Sequence, residues 1–98
     1  MPDPRITKLA KVLINYSLKI QPGEQLLIQT SPLADELTMA VYEEAIKAGA
    51  HVITMNQVPG LREIFFKNAS DEQLEYIAPV QKMMMETFDA FLHIQADS

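Results

Sequence analysis

Three short apolar runs, separated by stretches with helical periodicity, constrain the fold of this chain more than any other feature. The runs are residues 25–30, 51–55 and 90–94, each of a length typical of a buried strand. The segments between them are long enough to carry a helix from one strand to the next. Because strands joined by helical crossovers pair in parallel, the sequence predicts an α/β fold. We expect a Rossmann-like, three-stranded parallel sheet with flanking helices.

Cap signals predict where the first two helices begin. Asp3 precedes Pro4, and Ser31 precedes Pro32. In each pair the side-chain oxygen can accept from the first free amides, while proline at the first helical position gives up no hydrogen bond. Gly49 is expected to end the second helix. The expected apolar stripes are Ile6, Leu9, Leu13 and Tyr16 in the first helix, and Leu33, Leu37, Ala40, Val41, Ala45 and Ala48 in the second.

Further helical stretches lie between the second and third strands. Residues 61–68 follow the break at 58–60 and have helical character. Ser70, followed by Gln73, has the spacing of a capping box and predicts a short helix through Tyr76. Proline starts helices more readily than it continues them, so Pro79 predicts a separate turn or two.

Charge and cysteine content restrict the classes of function. The 98 residues include 8 Lys and Arg against 13 Asp and Glu, a net charge of -5 that repels nucleic-acid phosphates and anionic lipids. Cysteine is absent, which fits a reducing compartment and excludes disulfides and thiolate chemistry. No apolar run approaches the ~20 residues of a membrane helix, and the N-terminus lacks a signal core. We expect one cytoplasmic domain with no nucleic-acid or membrane partner.

The two histidines, His51 and His93, are the first candidates for metal ligands, since both are predicted on strands. A zinc site needs three or four converging protein ligands, and the acidic residues nearest these histidines are not at ligand spacing. We therefore interpret both as half-buried structural residues. A self-contained metallohydrolase built on them is the least favoured hypothesis.

Two pairs of adjacent carboxylates, Glu43-Glu44 and Asp71-Glu72, are candidates for acid–base chemistry. Neighbouring residues on a helix point about 100° apart, so neither pair can share one site. Negative charge in a helix's first turn is also favoured by the helix dipole, which accounts for the second pair. We interpret both pairs as solvated helix surface.

Other signals for ligands are weaker. There is no glycine-rich phosphate loop and no serine in a hydrolase elbow pattern. Loops after the ends of parallel strands usually form the ligand crevice, which places it at residues 30–32 and 56–60. The methionines at 83–85 are interpreted as core filler, with an adaptable contact surface as the alternative. The pair Phe65-Phe66 fits either core or interface.

Several short pieces of sequence follow one another in an order and spacing that resemble a known family. They are Asp3-Pro4-Arg5, Leu9-Ala10-Lys11, Asn15-Tyr16-Ser17, Pro22-Gly23-Glu24, Tyr42-Glu43-Glu44-Ala45, Lys47-Ala48-Gly49-Ala50 and Ala69-Ser70-Asp71-Glu72-Gln73-Leu74-Glu75. Together they resemble the start of a thermophilic-type metalloaminopeptidase, the family of aminopeptidase T and aminopeptidase S. The similarity runs from about Asp3 to His93.

The resemblance implies a cytoplasmic, dimeric exopeptidase that removes N-terminal amino acids from peptides with a pair of divalent metals, zinc or cobalt. The family's metal ligands lie in its large C-terminal domain, so none maps onto a residue here. We therefore expect no catalytic, cofactor-binding or metal-ligating residue in this chain. Residues 1–98 are expected to be the N-terminal α/β domain, without the catalytic C-terminal domain, architectural in role and inactive alone.

An alternative from a different class is a free-standing small α/β module that binds a partner and has no catalysis. The two hypotheses predict different surfaces. A domain separated from its neighbour exposes apolar patches, whereas a free-standing module covers them. The chain stops soon after the third strand, which we interpret as a segment of a longer protein.

Overall fold

A three-stranded parallel sheet organises the structure, a computed structural model that describes residues 3–31 and 34–95. The strands are β1 (Gln25–Thr30), β2 (His51–Asn56) and β3 (Ala90–Ile94). β1 lies in the centre, in the order β2-β1-β3, and both pairings are parallel. In the register Leu27 of β1 stands beside Ile53 of β2 and Phe91 of β3. The predicted α/β fold with a parallel sheet is confirmed.

Four α-helices accompany the sheet in the described part of the chain. They are α1 (Pro4–Val12), α2 (Asp35–Lys47), α3 (Leu61–Asn68) and α4 (Asp71–Thr87). A π-helical turn at Leu13–Ser17 continues α1. α1 precedes the sheet. The other three helices connect consecutive strands, as the sequence predicts.

The start of α1 is as predicted, and its buried face is as predicted only in part, since Leu13 of the predicted stripe packs against the core. Asp3 accepts a hydrogen bond from the N–H of Arg5 at 2.8 Å and so caps the helix. The fully buried residues are Ala10 and Ile14, whereas Leu9 and Tyr16 of the predicted stripe are 46% and 73% exposed. The most buried positions therefore lie one residue beyond those of the predicted stripe, while Ile6 and Leu13 of the stripe are half-buried beside them.

The end of α2 is as predicted, and its start is different. Gly49 has a φ of 88°, and the N–H of Ala50 donates to Ala45 at 3.1 Å, the bond that closes a helix at a left-handed residue. At the other end α2 begins at Asp35 with no side-chain cap. The backbone carbonyl of Ser31 accepts from the N–H of Ala34 at 3.1 Å. Pro32 and Leu33 lie outside the described residues.

The core lies on one face of the sheet, beneath α1 and α2. Leu26 and Ile28 of β1 are fully buried and point to this face. The residues of the core cluster are Ala10, Ile14, Ile20, Leu26, Ile28, Ala34, Val41, Ala45, Ala50 and Ile94. The central strand and the two helices above it therefore hold the fold together.

One continuous helix, α4, replaces the two short ones predicted. The capping box at its start is present, since Ser70 accepts from the N–H of Gln73 at 3.3 Å and Gln73 accepts from that of Ser70 at 2.9 Å. The helix runs on through Pro79 to Thr87. Because Pro79 has no N–H, the carbonyl of Glu75, four residues before it, loses its helical hydrogen bond. Glu75 is exposed, so water can donate to that carbonyl instead.

The second face of the sheet is open at both edges. Leu27 is buried at its centre, with 1% exposure, but the flanking Ile53 and Phe91 are 54% and 45% exposed. Neither α3 nor α4 contains a buried residue. We name the surface of Leu27, Ile53, Met55 and Phe91 the open face.

The methionine run and the phenylalanine pair lie outside the core cluster. Met83 and Met85 are 60% and 71% exposed, so the core-filler interpretation is wrong for these two. Phe66 is 57% exposed and contacts Phe65 edge to face at 5.5 Å. No helix in the described parts of the chain has both the length and the apolar character needed to cross a membrane.

Candidate functional site

The carboxyl ends of β1 and β2 meet the start of α2, which is the predicted ligand crevice. Thr30, the last residue of β1, is 2% exposed. Its hydroxyl lies 2.7 Å from that of Thr38 on α2 and donates to the Ser31 carbonyl at 3.2 Å. The N–H of Gln57 donates to the Thr30 carbonyl at 2.8 Å. These bonds fasten the strand ends to the helix.

A shallow groove lies beside this junction. It has a volume of about 330 Å³ and is lined by Thr38, Met39, Tyr42, Thr54 and Asn56. Its polar lining consists of hydroxyl and amide groups, which can hydrogen-bond a ligand, and its lining includes no carboxylate, imidazole or amine. The first turn of α2 carries two carboxylates, Asp35 and Glu36, so its N-terminus does not favour an anion.

The Thr30–Thr38 pair does not have the composition of an activated nucleophile. A threonine hydroxyl attacks only when a neighbouring base takes its proton. The hydrogen-bond partners of Thr30 are a second hydroxyl and a backbone carbonyl. The pair therefore has a positioning role at the strand ends. The sequence predicts the crevice but not this pair of threonines. The pattern that could have indicated it is a threonine at the end of β1 followed by a second threonine eight residues later, on α2.

The two histidines lie far apart on the open face. The register places His51 beside Gln25 and His93 beside Gln29, with β1 between them. Two strand spacings across and four residues along give a separation of roughly 16 Å between their Cα atoms. Both are exposed, so their interpretation as half-buried structural residues is wrong. One metal ion cannot bind both.

The donor set of the described residues does not fit a metal centre. Across residues 3–31 and 34–95, no group of three or more His, Asp or Glu side chains comes together around one point. A catalytic zinc ion takes three protein ligands. Cysteine, the other strong zinc ligand, is absent from the sequence.

The paired carboxylates separate as the helical geometry predicts, but one of them is not solvated. Glu43 is exposed, whereas Glu44 is 8% exposed and lies on the same side of α2 as Val41 and Ala45. Its Oε2 is 3.6 Å from the Lys47 Nζ, which offsets part of the cost of burying the charge. The interpretation of Glu44 as solvated surface is wrong because the helix turns it inward.

The second carboxylate pair is solvated, as predicted. Asp71 and Glu72 are both exposed in the first turn of α4. Glu72 borders an open groove of about 590 Å³ between α3 and α4, lined also by Phe65, Gln73, Glu75, Tyr76 and Ile77. This groove brings no histidine or lysine to its carboxylates, so it has no acid–base pair.

The side chains described above do not identify a reaction, but comparison with known proteins identifies a family. Curated proteins gave no match to this chain. The family model described as thermophilic metalloprotease matches residues 2–98, nearly the entire sequence. An N-terminal helix, a parallel sheet and the helices between its strands are all included in the match. The chain therefore belongs to the thermophilic metalloprotease family.

Proposed function

We propose that this chain is the N-terminal α/β domain of a metal-dependent aminopeptidase, which hydrolyses N-terminal amino acids from peptides. The observation that carries the proposal is the family match over residues 2–98. The ordered motifs from Asp3 to His93, which resemble those of aminopeptidases T and S, support the narrower assignment to exopeptidases. Its substrates are peptides with a free N-terminus.

The role of this segment in the enzyme is architectural, and it is inactive alone. Two observations support this part of the proposal. The described residues bring together no set of metal donors. The crevice at the strand ends contains a hydroxyl pair and no neighbouring base. By the same resemblance the divalent ions of the enzyme, zinc or cobalt, are held in its C-terminal domain, and no chemical step is assigned to this chain.

Two further features belong to the proposal and rest on the same resemblance. The enzyme is cytoplasmic, and a chain without cysteine requires no oxidising compartment for its folding. It is a homodimer, and the apolar side chains exposed on α2 and on the open face are available for association.

The experiment that tests the proposal is an exopeptidase assay on the native gene product, captured from its source cells by an antibody against residues 3–95. The substrates are one peptide with a free N-terminus and the same peptide N-acetylated as the matched control. We expect release of the N-terminal residue from the free peptide only, loss of release after chelation, and recovery with zinc or cobalt.

Three outcomes would each contradict a different part of the proposal: the exopeptidase assignment, the presence of catalysis, or the architectural role of this segment. Cleavage of the acetylated peptide at internal bonds would show an endopeptidase and contradict the exopeptidase assignment. Absence of any cleavage with either metal would favour the non-catalytic binding module. Release of amino acids by the purified 98-residue chain would contradict the architectural role, while leaving the peptidase assignment intact.

A further inference from the structure

The groove between α3 and α4 combines apolar side chains with carboxylates. Its volume of about 590 Å³ is within the range of ligand pockets. Phe65 of α3 and Ile77 of α4 line the groove and are half-buried. Glu72 and Glu75 of α4 line it as well and are exposed. The groove thus offers apolar surface and negative charge to the same ligand. We name this cavity the helical groove.

The two carboxylates of the helical groove lie side by side without a cation. Glu72 and Glu75 are three residues apart on α4, a spacing that makes their side chains neighbours on the helix surface. Two like charges so placed repel each other. In the part of the chain that the structure describes, neither carboxylate has an ion pair, and the lining of the groove includes no Lys, Arg or His. A positively charged ligand relieves this repulsion.

An aromatic ring beside these carboxylates offers a second contact to a cation. Tyr76 lines the helical groove four residues after Glu72, on the same face of α4, and is 70% exposed. The face of an aromatic ring attracts a cation placed above it. This contact already occurs on α3, where the Arg62 guanidinium lies 5.5 Å from the centre of the Phe66 ring. Among the described residues no cation lies over the Tyr76 ring, so that ring is open to the cation of a ligand.

Two further polar groups of α4 favour a peptide as the carrier of that cation. The Gln73 Oε1 accepts from the N–H of Ser70 at 2.9 Å, which leaves the amide N–H₂ of this groove residue to donate to a ligand. The Glu75 carbonyl has no helical donor, because Pro79 lacks an N–H. A peptide backbone carries both donors and acceptors and can bond to both groups. A free ammonium ion carries no acceptor for the Gln73 amide.

Other classes of ligand do not fit the helical groove. Its two carboxylates repel an anion. Hard cations such as Ca²⁺ take about six oxygen ligands or more, and the described residues bring together no group of three or more His, Asp or Glu. The ammonium of lysine is a compact point charge, whereas the planar guanidinium of arginine both bonds to carboxylates and stacks on aromatic rings. Because the groove offers carboxylates and a ring together, it favours arginine.

We propose that the helical groove binds an arginine side chain, flanked by an apolar residue, in a peptide segment of a partner protein. The guanidinium stacks on Tyr76 and bonds to the carboxylates of Glu72 and Glu75. The apolar neighbour in the peptide contacts Phe65 and Ile77. The groove binds the segment without reacting with it, since its lining includes no acid–base pair among the described residues.

The test is a titration of the isotope-labelled 98-residue chain with the peptide acetyl-Gly-Leu-Arg-Leu-Gly-amide, followed by two-dimensional NMR. We expect the shifts of backbone amides to concentrate in residues 65–77 and to saturate at millimolar peptide. The matched control is the same peptide with citrulline, a neutral isostere of arginine. Loss of a hydrogen-bonded charge is expected to raise the dissociation constant roughly tenfold. The peptide with lysine in place of arginine is expected to bind more weakly than the arginine peptide, because it loses the stacking contact.

Variants of the chain separate recognition in the groove from attraction by the overall negative charge. Glu72→Gln and Glu75→Gln each remove one carboxylate of the groove and are each expected to raise the dissociation constant of the arginine peptide roughly two- to fivefold. The matched control, Glu63→Gln on α3, changes the net charge by the same amount. Glu63 precedes Phe65 by two residues, which is about 200° around the helix, so it lies away from the groove. We expect Glu63→Gln to leave the dissociation constant unchanged.

Three results would overturn the proposal: no shifts with the arginine peptide, equal binding of the citrulline peptide, or equal weakening by Glu63→Gln and the two groove variants. Equal binding of the lysine peptide would contradict the recognition of a guanidinium. Circular dichroism verifies that each variant folds, and the comparison of peptides on the unmodified chain requires no variant. The blocked peptides have no free N-terminus and are not exopeptidase substrates. Failure of this proposal and failure of the proposed function are therefore distinguishable.

Discussion

Replacing Ile28 by alanine is expected to remove a large fraction of the stability of the fold. Ile28 lies in the middle of the central strand and is fully buried in the core cluster. Truncation of a buried isoleucine costs about 2–5 kcal/mol, because the contacts of the lost carbons disappear and a cavity stays behind. A domain of this size has about 5–15 kcal/mol in total. Urea unfolding followed by circular dichroism measures the loss.

The matched control is Ile64→Ala on α3, where the isoleucine is 61% exposed and no residue of the helix is buried. An exposed substitution of this kind changes the free energy of unfolding by about 0.5 kcal/mol or less. Equal losses for the two variants would mean that the core does not lie between the sheet and α1 and α2.

Gly49→Ala is expected to have the second largest effect, for two separable reasons. The residue has a φ of 88°, where an L-residue is strained by about 1–2 kcal/mol. A Cβ there would also lie 3.1 Å from the Cα and Cβ of Pro22, in the turn whose Gly23 N–H donates to the Gly49 carbonyl. Relief of that contact requires movement of the turn and costs about 1–3 kcal/mol more. The midpoint of thermal unfolding reports the sum.

Gly60→Ala separates the two contributions. Its φ is 93°, close to that of Gly49, but a Cβ there meets no atom within 4 Å. We expect Gly60→Ala to show the strain alone and Gly49→Ala to show the strain and the contact. Equal shifts in the two variants would contradict the close approach of Gly49 to Pro22.

The elements of this fold were predictable where local chemistry decides them. Strands of five or six residues and the caps at Asp3 and Ser70 follow from side chains close in sequence. The end of α2 at Gly49 follows in the same way, since only glycine readily adopts the left-handed conformation there. Parallel pairing then follows from the helical length of each crossover.

The errors lie where distant contacts decide. The face of α1 that meets the core is set by packing against α2 and the sheet, so Ala10 and Ile14 are buried while Leu9 of the predicted stripe is exposed. Pro79 was predicted to begin a new helix, but α4 is exposed and tolerates one missing hydrogen bond in its interior. Glu44 was predicted on the surface, although it shares the inner side of α2 with Val41.

The position of the candidate site was predictable from the sequence, but the side chains that meet there were not. The rule for parallel sheets located the crevice at the strand ends, where Thr30 and Thr38 meet. Which hydroxyls approach each other there depends on how α2 lies on the sheet, and spacing along the chain does not contain that information. The expectation that no residue of this chain ligates a metal rests on the resemblance alone and stays a prediction, because the composition offers two histidines and thirteen carboxylates.

The measurement that tests the central claim most directly is the intact mass of the native gene product, captured from its source cells with an antibody against this segment. We propose that these residues are one domain of a metalloaminopeptidase whose catalytic residues lie elsewhere in the same protein. We therefore expect a mass several times the 11.1 kDa of this chain. A native product of 11.1 kDa would contradict this proposal, and the function would then be sought in a partner bound by a small α/β module.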